Sequence, residues 1–163
     1  MPVRYNSVVG DRFWNISQVA EVGGKASSAD VKFVQFLLGT VDGDIPDRSA
    51  ADAADLVIPQ SGQFDEDTRI ATIVLQMSSP NMSVDGRVSP MRGGNISYPS
   101  GSGHKYWTLE ALQFLYTAHL FGLDKSRPDQ VRPNVNEAMD WLPFDEGLDP
   151  ETRADMFAHY TAV

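Results

Sequence analysis

The side chains able to do chemistry are few, and their spacing forms no recognisable catalytic set. His104, His119 and His159 are the only histidines, with neither HExxH nor HxH spacing, so no two imidazoles are set to share a metal. His119 falls on an apolar stretch and reads as a structural residue. His104, beside Lys105, has no second ligand near it in sequence. Ser100-Gly101-Ser102-Gly103 lacks the strand-to-helix setting of a nucleophile elbow and reads as a flexible linker. Asp42-Gly43-Asp44 with Asp47 lacks the ligand spacing of a calcium-binding hand and reads as a solvated acidic turn. Asp65, Glu66 and Asp67 are adjacent, which suits a helix N-terminus better than the separated carboxylates of glycan hydrolysis. The chain has no cysteine, which removes thiolate metal sites, disulfides and cysteine nucleophiles. No catalytic residue, metal or cofactor is assigned.

What remains is recognition. Sugar faces are bound by exposed aromatic rings with polar groups close by. Tyr98, Tyr106 and Trp107 lie in or beside a Gly/Ser-rich stretch, with Arg87 and Arg92 near in sequence. Trp107 is equally suited to core packing. The charge balance, 13 Lys+Arg against 22 Asp+Glu for a net −9, offers no basic stripe for nucleic acid or an anionic membrane surface. No apolar run approaches the ~20 residues of a membrane span. The first residues, Met1 to Ser7 with Asp11 and Arg12 following, lack the apolar core of a signal peptide. Work in the periplasm or at the wall would then need a non-classical export route.

The elements that would position these residues are mainly helical. At 163 residues and 42% hydrophobic, the chain can bury a real core as one domain with extensions. Residues 1–25 read as an arm with short strand-like pieces. Ser28 or Asp30 caps a first helix, about 28–39, with Val31, Val34, Leu37 and Leu38 at helical spacing and Gly39 ending it. Residues 40–63 form a long connection with an Ala/Asp patch, Ser49 to Asp55, suited to a turn of helix. A second helix starts near Asp65 and stops at Ser78-Ser79-Pro80. Asp85-Gly86 between Val84 and Val88 marks a turn. Residues 91–104 read as an exposed loop. A third helix runs from Tyr106 or Thr108 to about Phe121, with Leu109, Leu112, Leu115, Tyr116 and Leu120 apolar and Gly122 beyond its end. The tail, 122–163, holds a short helix over Asn134 to Leu142. A last helix opens at Asp149-Pro150-Glu151 and buries Met156, Phe157 and Tyr160.

The order of these pieces resembles the peptidoglycan-binding-like domains over about residues 26–115. Asp30-Val31-Lys32-Phe33-Val34-Gln35-Phe36-Leu37-Leu38 is similar to that family's opening DVxxLQxLL helix. Gly62-Gln63-Phe64-Asp65-Glu66-Asp67-Thr68 is similar to its DGxFGPxT turn, with Asp65-Glu66 in place of Gly-Pro. Thr68–Gln76 resembles the TxxAVxxFQ helix, Val84–Pro90 the VDGxVGP turn, and Thr108–Leu112 the closing TxxAL helix. The resemblance implies a compact three-helix bundle over 26–121 with two turn-plus-helix units, here interrupted by about 91–104. It also implies a non-catalytic module that binds bacterial cell-wall peptidoglycan, delivered by a secretion machine or a phage. Implied glycan contacts around the two turns are Phe64, Asp85, Arg87, Tyr98 and Trp107.

Several outer helix positions that are polar in that family carry Phe33, Phe36, Ile73 and Val74 here. Burying each such side chain is worth roughly 1.5–3 kcal/mol, so they should not face water. Two coverings are open. The chain's own arm and tail can wrap them, using Phe13, Trp14, Trp141, Phe144 and Phe157, or a partner protein can dock on them. The second covering implies an adaptor or structural protein within a larger assembly. A third reading is a cell-wall hydrolase whose site spans bundle and tail and uses Glu110 or Glu137.

Overall fold

The computed structural model describes residues 1–41, 58–94, 97–100 and 103–161, with side chains at 97–100, 103–104 and 159–161 excepted. The chain is mainly helical, 50% helix and 9% strand. The arm is an antiparallel hairpin of β1 (Val3–Asn6) and β2 (Arg12–Asn15), in the register Val3↔Asn15 and Tyr5↔Phe13. Helices α1 (Ser28–Val41), α2 (Glu66–Met77) and α3 (Thr108–Phe121) follow, with a second hairpin, β3 (Ser97–Ser100) and β4 (Gly103–Tyr106), between α2 and α3. The tail comprises a single turn α4 (Pro128–Val131), then α5 (Val135–Trp141) between 3-10 turns at Arg132–Asn134 and Leu142–Phe144, and finally α6 (Pro150–Thr161).

Three expectations need correction. Gly39 does not end α1, which runs on to Val41. Burial of Val41, fully shielded from water, outweighs the ~1 kcal/mol that a helical glycine costs. The cap of α1 is Ser27, whose Oγ accepts from Asp30 N at 3.2 Å. The Asp30 side chain instead turns inward and accepts from Ser17 N at 3.0 Å, tying the arm to the helix. Residues 97–100 and 103–106 pair as antiparallel strands rather than running open. Pro99 is tolerated because a two-stranded ribbon leaves alternate N–H groups unpaired. Gly101 and Ser102, like the acidic turn at Asp42–Asp47 and the Ser49–Asp55 patch, lie outside the described residues.

Other ends follow the sequence closely. Asp65 caps α2, its Oδ1 accepting from Thr68 N at 2.9 Å and Thr68 Oγ1 at 2.7 Å. These bonds hold its carboxyl below the usual range. Asp65→Ala is therefore expected to cost about 1 kcal/mol near neutrality. Because the folded-state pKa is depressed, that contribution is present above the ordinary carboxylate pKa and disappears as pH falls through the lowered one. Urea melts of both proteins at neutral and acidic pH would check it. Gly122, at φ +63°, closes α3 in the left-handed conformation.

One apolar core joins all three parts of the chain. It contains Phe13, Trp14 and Ile16 from the arm and Val31, Phe33, Val34 and Leu37 from α1. Leu75, Leu109, Leu112 and Tyr116 come from α2 and α3, and Met139, Leu142, Leu148 and Met156 from the tail. Phe33 is fully buried and Phe36 nearly so, the latter 5.9 Å from the Tyr116 ring. Ile73 and Val74 are half-buried; Ile73 packs against the turn at Gly86, and Val74 against the core. Phe33 and Phe36 are thus inside their own chain and offer no surface to a partner. Leu120 and Phe157, expected inside, are exposed. Phe157 lies on the outer side of α6, while Met156 takes the inner one.

A buried glutamine repeats on each main helix. Gln35 Oε1 accepts from Gly62 N at 3.0 Å, while Nε2 donates to Gln63 O at 2.8 Å and Thr68 Oγ1 at 3.1 Å. Gln76 repeats this: Oε1 accepts from Gly86 N at 2.9 Å, and Nε2 donates to Arg87 O at 3.0 Å and Thr108 Oγ1 at 3.0 Å. Each glutamine thus locks a turn to the threonine at or near the start of the next helix. The glycine is required in both. Gly62 (φ +81°) and Gly86 (φ +72°) sit where L-residues are strained, and a Cβ at Gly62 would clash with Ser28 Oγ. Gln113 uses the same amide on the arm, accepting from Trp14 N at 2.6 Å and donating to Trp14 O at 2.8 Å.

Candidate functional site

Of the five residues expected to bind glycan, the four with described side chains do not form one open groove. Phe64 is buried and belongs to the core. Asp85 accepts from Gln76 Nε2 at 2.9 Å and from Arg87 N at 3.1 Å, so it holds its own turn. Arg87 is exposed but is flanked by Asp85 at 3.4 Å and Glu21 at 3.6 Å. Trp107 is half-buried against the core at the start of α3. Tyr98 is on β3, with its side chain outside the described ones.

The arm crosses the space between the two turns. Ala20 and Val88 exchange both backbone hydrogen bonds at 2.9 Å, fixing the arm to the second turn. Glu21, Gly23 and Gly24 then face Gly62 and Phe64 across a shallow cavity of about 250 Å³. The arm was legible as extended pieces. Its path was not, because backbone pairing of Ala20 with Val88 leaves no side-chain pattern.

The most conspicuous surface is elsewhere. Trp141 and Phe144, each 58% exposed, and Phe157, 36% exposed, form one aromatic ledge at the junction of α5 and α6. Trp141 and Phe144 meet edge-on at 6.1 Å between ring centroids, and Phe144 and Phe157 at 5.0 Å. The ledge exists because α6 packs back on the 3-10 turn at Leu142–Phe144, whose Leu142 and Pro143 point inward while Phe144 points out.

The tail that carries the ledge is firmly held. Tyr116 donates to Asp145 Oδ2 at 2.7 Å; burial, then this carboxylate, pushes the phenol well above its ordinary pKa, so it stays a donor. Gln60 accepts from Asp149 N at 2.7 Å and donates to Gly147 O at 2.6 Å. Lys32 reaches Glu151 at 2.9 Å and Asp149 at 3.4 Å, and the Glu151 bond leads in raising its pKa. Arg4 and Arg12 of the arm both reach Asp140, at 3.1 and 3.3 Å, and Trp14 Nε1 donates to Met139 O at 2.9 Å. The rings therefore project from a fixed frame, so little ordering cost would accompany their use.

The stretch that carries the ledge is rich in acids, of which Asp140 is paired with Arg4 and Arg12, and Asp149 and Glu151 with Lys32. From Glu137 to Asp155 the chain carries seven carboxylates (Glu137, Asp140, Asp145, Glu146, Asp149, Glu151 and Asp155) and a single basic residue, Arg153. Trp141, Phe144 and Phe157 had been grouped with Phe13 and Trp14 as covering for the core. Only the arm pair is inside.

Glu110 and Glu137, the carboxylates considered for hydrolysis, occupy different environments: Glu110 is 2% exposed and paired with Arg132, and Glu137 is exposed on α5. Among the described residues no group of His, Asp and Glu is placed to hold a metal ion, and no helix is long and apolar enough to cross a membrane. The chain matches no protein-family model, no curated protein and no solved structure.

Proposed function

We propose that the chain is a non-catalytic binding module that docks on another protein through the ledge of Trp141, Phe144 and Phe157. The observation that carries this reading is the exposure of three mutually packed aromatics on a rigid, acidic surface. Tryptophan and other large aromatics dominate binding energy at protein interfaces, and isolated monomers seldom leave such clusters in water. The charge around the ledge selects the partner's chemistry: a segment with an apolar anchor flanked by lysine or arginine. The helical frame is proposed to be a variant of the peptidoglycan-binding-like three-helix bundle. Support comes from the ordered sequence landmarks and from the equivalent Gln35–Gly62–Thr68 and Gln76–Gly86–Thr108 clamps.

The test uses isothermal titration calorimetry with a pair of model helical peptides, one of leucine and lysine, the other of leucine and glutamate. The lysine peptide is expected to bind, and the glutamate peptide not to bind. Trp141→Ala should weaken binding by roughly 30-fold, the loss of about 2 kcal/mol typical of a central aromatic anchor. Equal binding of both peptides, or an unchanged affinity in Trp141→Ala, would refute the assignment. Wall binding is the second reading, favoured by the cavity between Phe64 and the arm. Retention of the chain on insoluble peptidoglycan sacculi, weakened by Arg87→Ala, would establish it in place of the first.

A further inference from the structure

A second concavity lies away from the ledge, between the end of α2, the face of α3 and the turn at α4. It measures about 280 Å³ and its walls are mostly apolar: Met82, Ala111, Phe114, Leu115 and Pro128. That is near the lower end for small-molecule pockets and suits a compact ligand. Three charged side chains line it: Glu110 on α3, Lys125 after that helix, and Arg132 on the 3-10 turn.

Glu110 is the unusual member. Its side chain is 3% exposed; Oε1 accepts from Arg132 Nη2 at 3.2 Å, and Oε2 is buried with no hydrogen-bond partner. A buried carboxylate oxygen left unmatched costs well over the ~1 kcal/mol of an ordinary hydrogen bond. Arg132 cannot supply the missing donor. Its guanidinium is shared with Asp11 of the arm and lies 5.7 Å over the Phe114 ring. Asp11 and Glu110 both draw on the one guanidinium of Arg132. Lys125, half-buried, lines the cleft as well.

We propose that this cleft binds a compact ligand carrying a primary ammonium on an apolar body, the ammonium donating to Glu110 Oε2. The ammonium supplies the missing donor, while the apolar body replaces water against Met82, Phe114 and Leu115. An anionic ligand would add a third negative charge beside Asp11 and Glu110.

The proposal fixes the direction of the pH dependence. Burial pushes the Glu110 carboxyl up to about 7, against the pull of Arg132 and with a further push from Asp11. Near neutrality the carboxyl therefore carries a proton about half the time. Ammonium binding requires the carboxylate, so this proton leaves on binding and affinity rises with pH through about 7. Between about pH 6 and about pH 8 the expected gain is roughly tenfold. The charged and titratable groups around it are Arg132 on the 3-10 turn, Asp11 on the arm, and Lys125 and Tyr106 in the cleft lining.

The experiment is a titration followed by amide NMR, using 2-phenylethylamine, 2-phenylethanol and 3-phenylpropionate as probes of one shape and three head groups. The amine is expected to shift resonances of Met82, Ala111 and Phe114 with low-millimolar affinity, about tenfold tighter at the higher pH. Glu110→Gln keeps the side-chain shape and should abolish both binding and its pH dependence. Ala111→Phe fills the cleft without touching the carboxyl and should block the amine while leaving the fold intact. Equal affinity for all three probes, preference for the propionate, or undiminished amine binding in Glu110→Gln would each overturn the proposal. So would the absence of shifts at millimolar amine.

Discussion

Phe33→Asp is expected to unfold the chain. Phe33 is completely buried and packs in the same core as Trp14 of the arm and Met139 of the tail. Removing the ring costs about 3–5 kcal/mol from lost burial and the cavity left behind. The carboxylate adds the penalty of a charge with no partner in an apolar core, several kcal/mol more even after it takes up a proton. A domain of this size is stable by about 5–15 kcal/mol, so the sum removes most or all of the margin. Far-UV circular dichroism and size-exclusion chromatography should show loss of helix and an expanded or aggregated chain. A cooperative melt near the parent temperature would mean that the arm and tail do not cover this helix. Trp141→Asp is the contrasting control, because its ring is already in water and should leave the melt unchanged.

That contrast marks how far sequence reasoning reaches. The helices α2 and α3 were legible because their ends are written in local chemistry, Asp65 at one and Gly122 at the other, and both act within a turn of themselves. The far end of α1 was not legible, since Gly39 stays helical only because Val41 beyond it is drawn into the core. The β3–β4 hairpin was hidden by its Gly/Ser/Pro composition, which carries no hydrophobic alternation, while its pairing comes from backbone groups alone. Apolar supply in the flanks was visible, but its division was not. Phe13 and Trp14 are adjacent on β2 and both buried, as the strand lies between α3 and α5, whereas Trp141 and Phe144 cap the outer end of a short helix.

The candidate sites were still harder to see. Phe64, Asp85 and Trp107 are the residue types a sugar site needs, yet each is used inward, by the core or by a turn. Glu110 was noticed only as a carboxylate. Its isolation depends on Arg132 and Asp11, 22 and about a hundred residues away in the chain, meeting it in space. Sequence gives the identity of a titratable group, whereas its desolvation is a property of everything packed around it.

The glutamine clamps yield the second large effect. Gln76 is 1% exposed, and its amide satisfies the N–H groups of Asp85 and Gly86 while donating to Asp85, Arg87 O and Thr108. Gln76→Leu keeps the volume and removes every one of these bonds. The Gly86 N–H and the Arg87 carbonyl lose their partner, at about 1–3 kcal/mol for each group left buried, so a loss of roughly 3 kcal/mol is expected in urea unfolding. Gln76→Glu should cost at least as much, because its second oxygen would face the Arg87 carbonyl and the Asp85 carboxylate in place of a donor. The Glu variant should recover part of the loss in acid, where protonation restores one donor; the Leu variant should not. A Leu variant within about 0.5 kcal/mol of the parent would show that the turn is held by packing alone. Since Gln35 makes the equivalent bonds to Gly62, Gln63 and Thr68, Gln35→Leu should fall by a similar amount. The exposed Arg69–Glu66 pair, formed by charged side chains three residues apart and screened by water, should contribute little. The stability of the two turns thus resides in two neutral amides rather than in the ion pairs displayed around them.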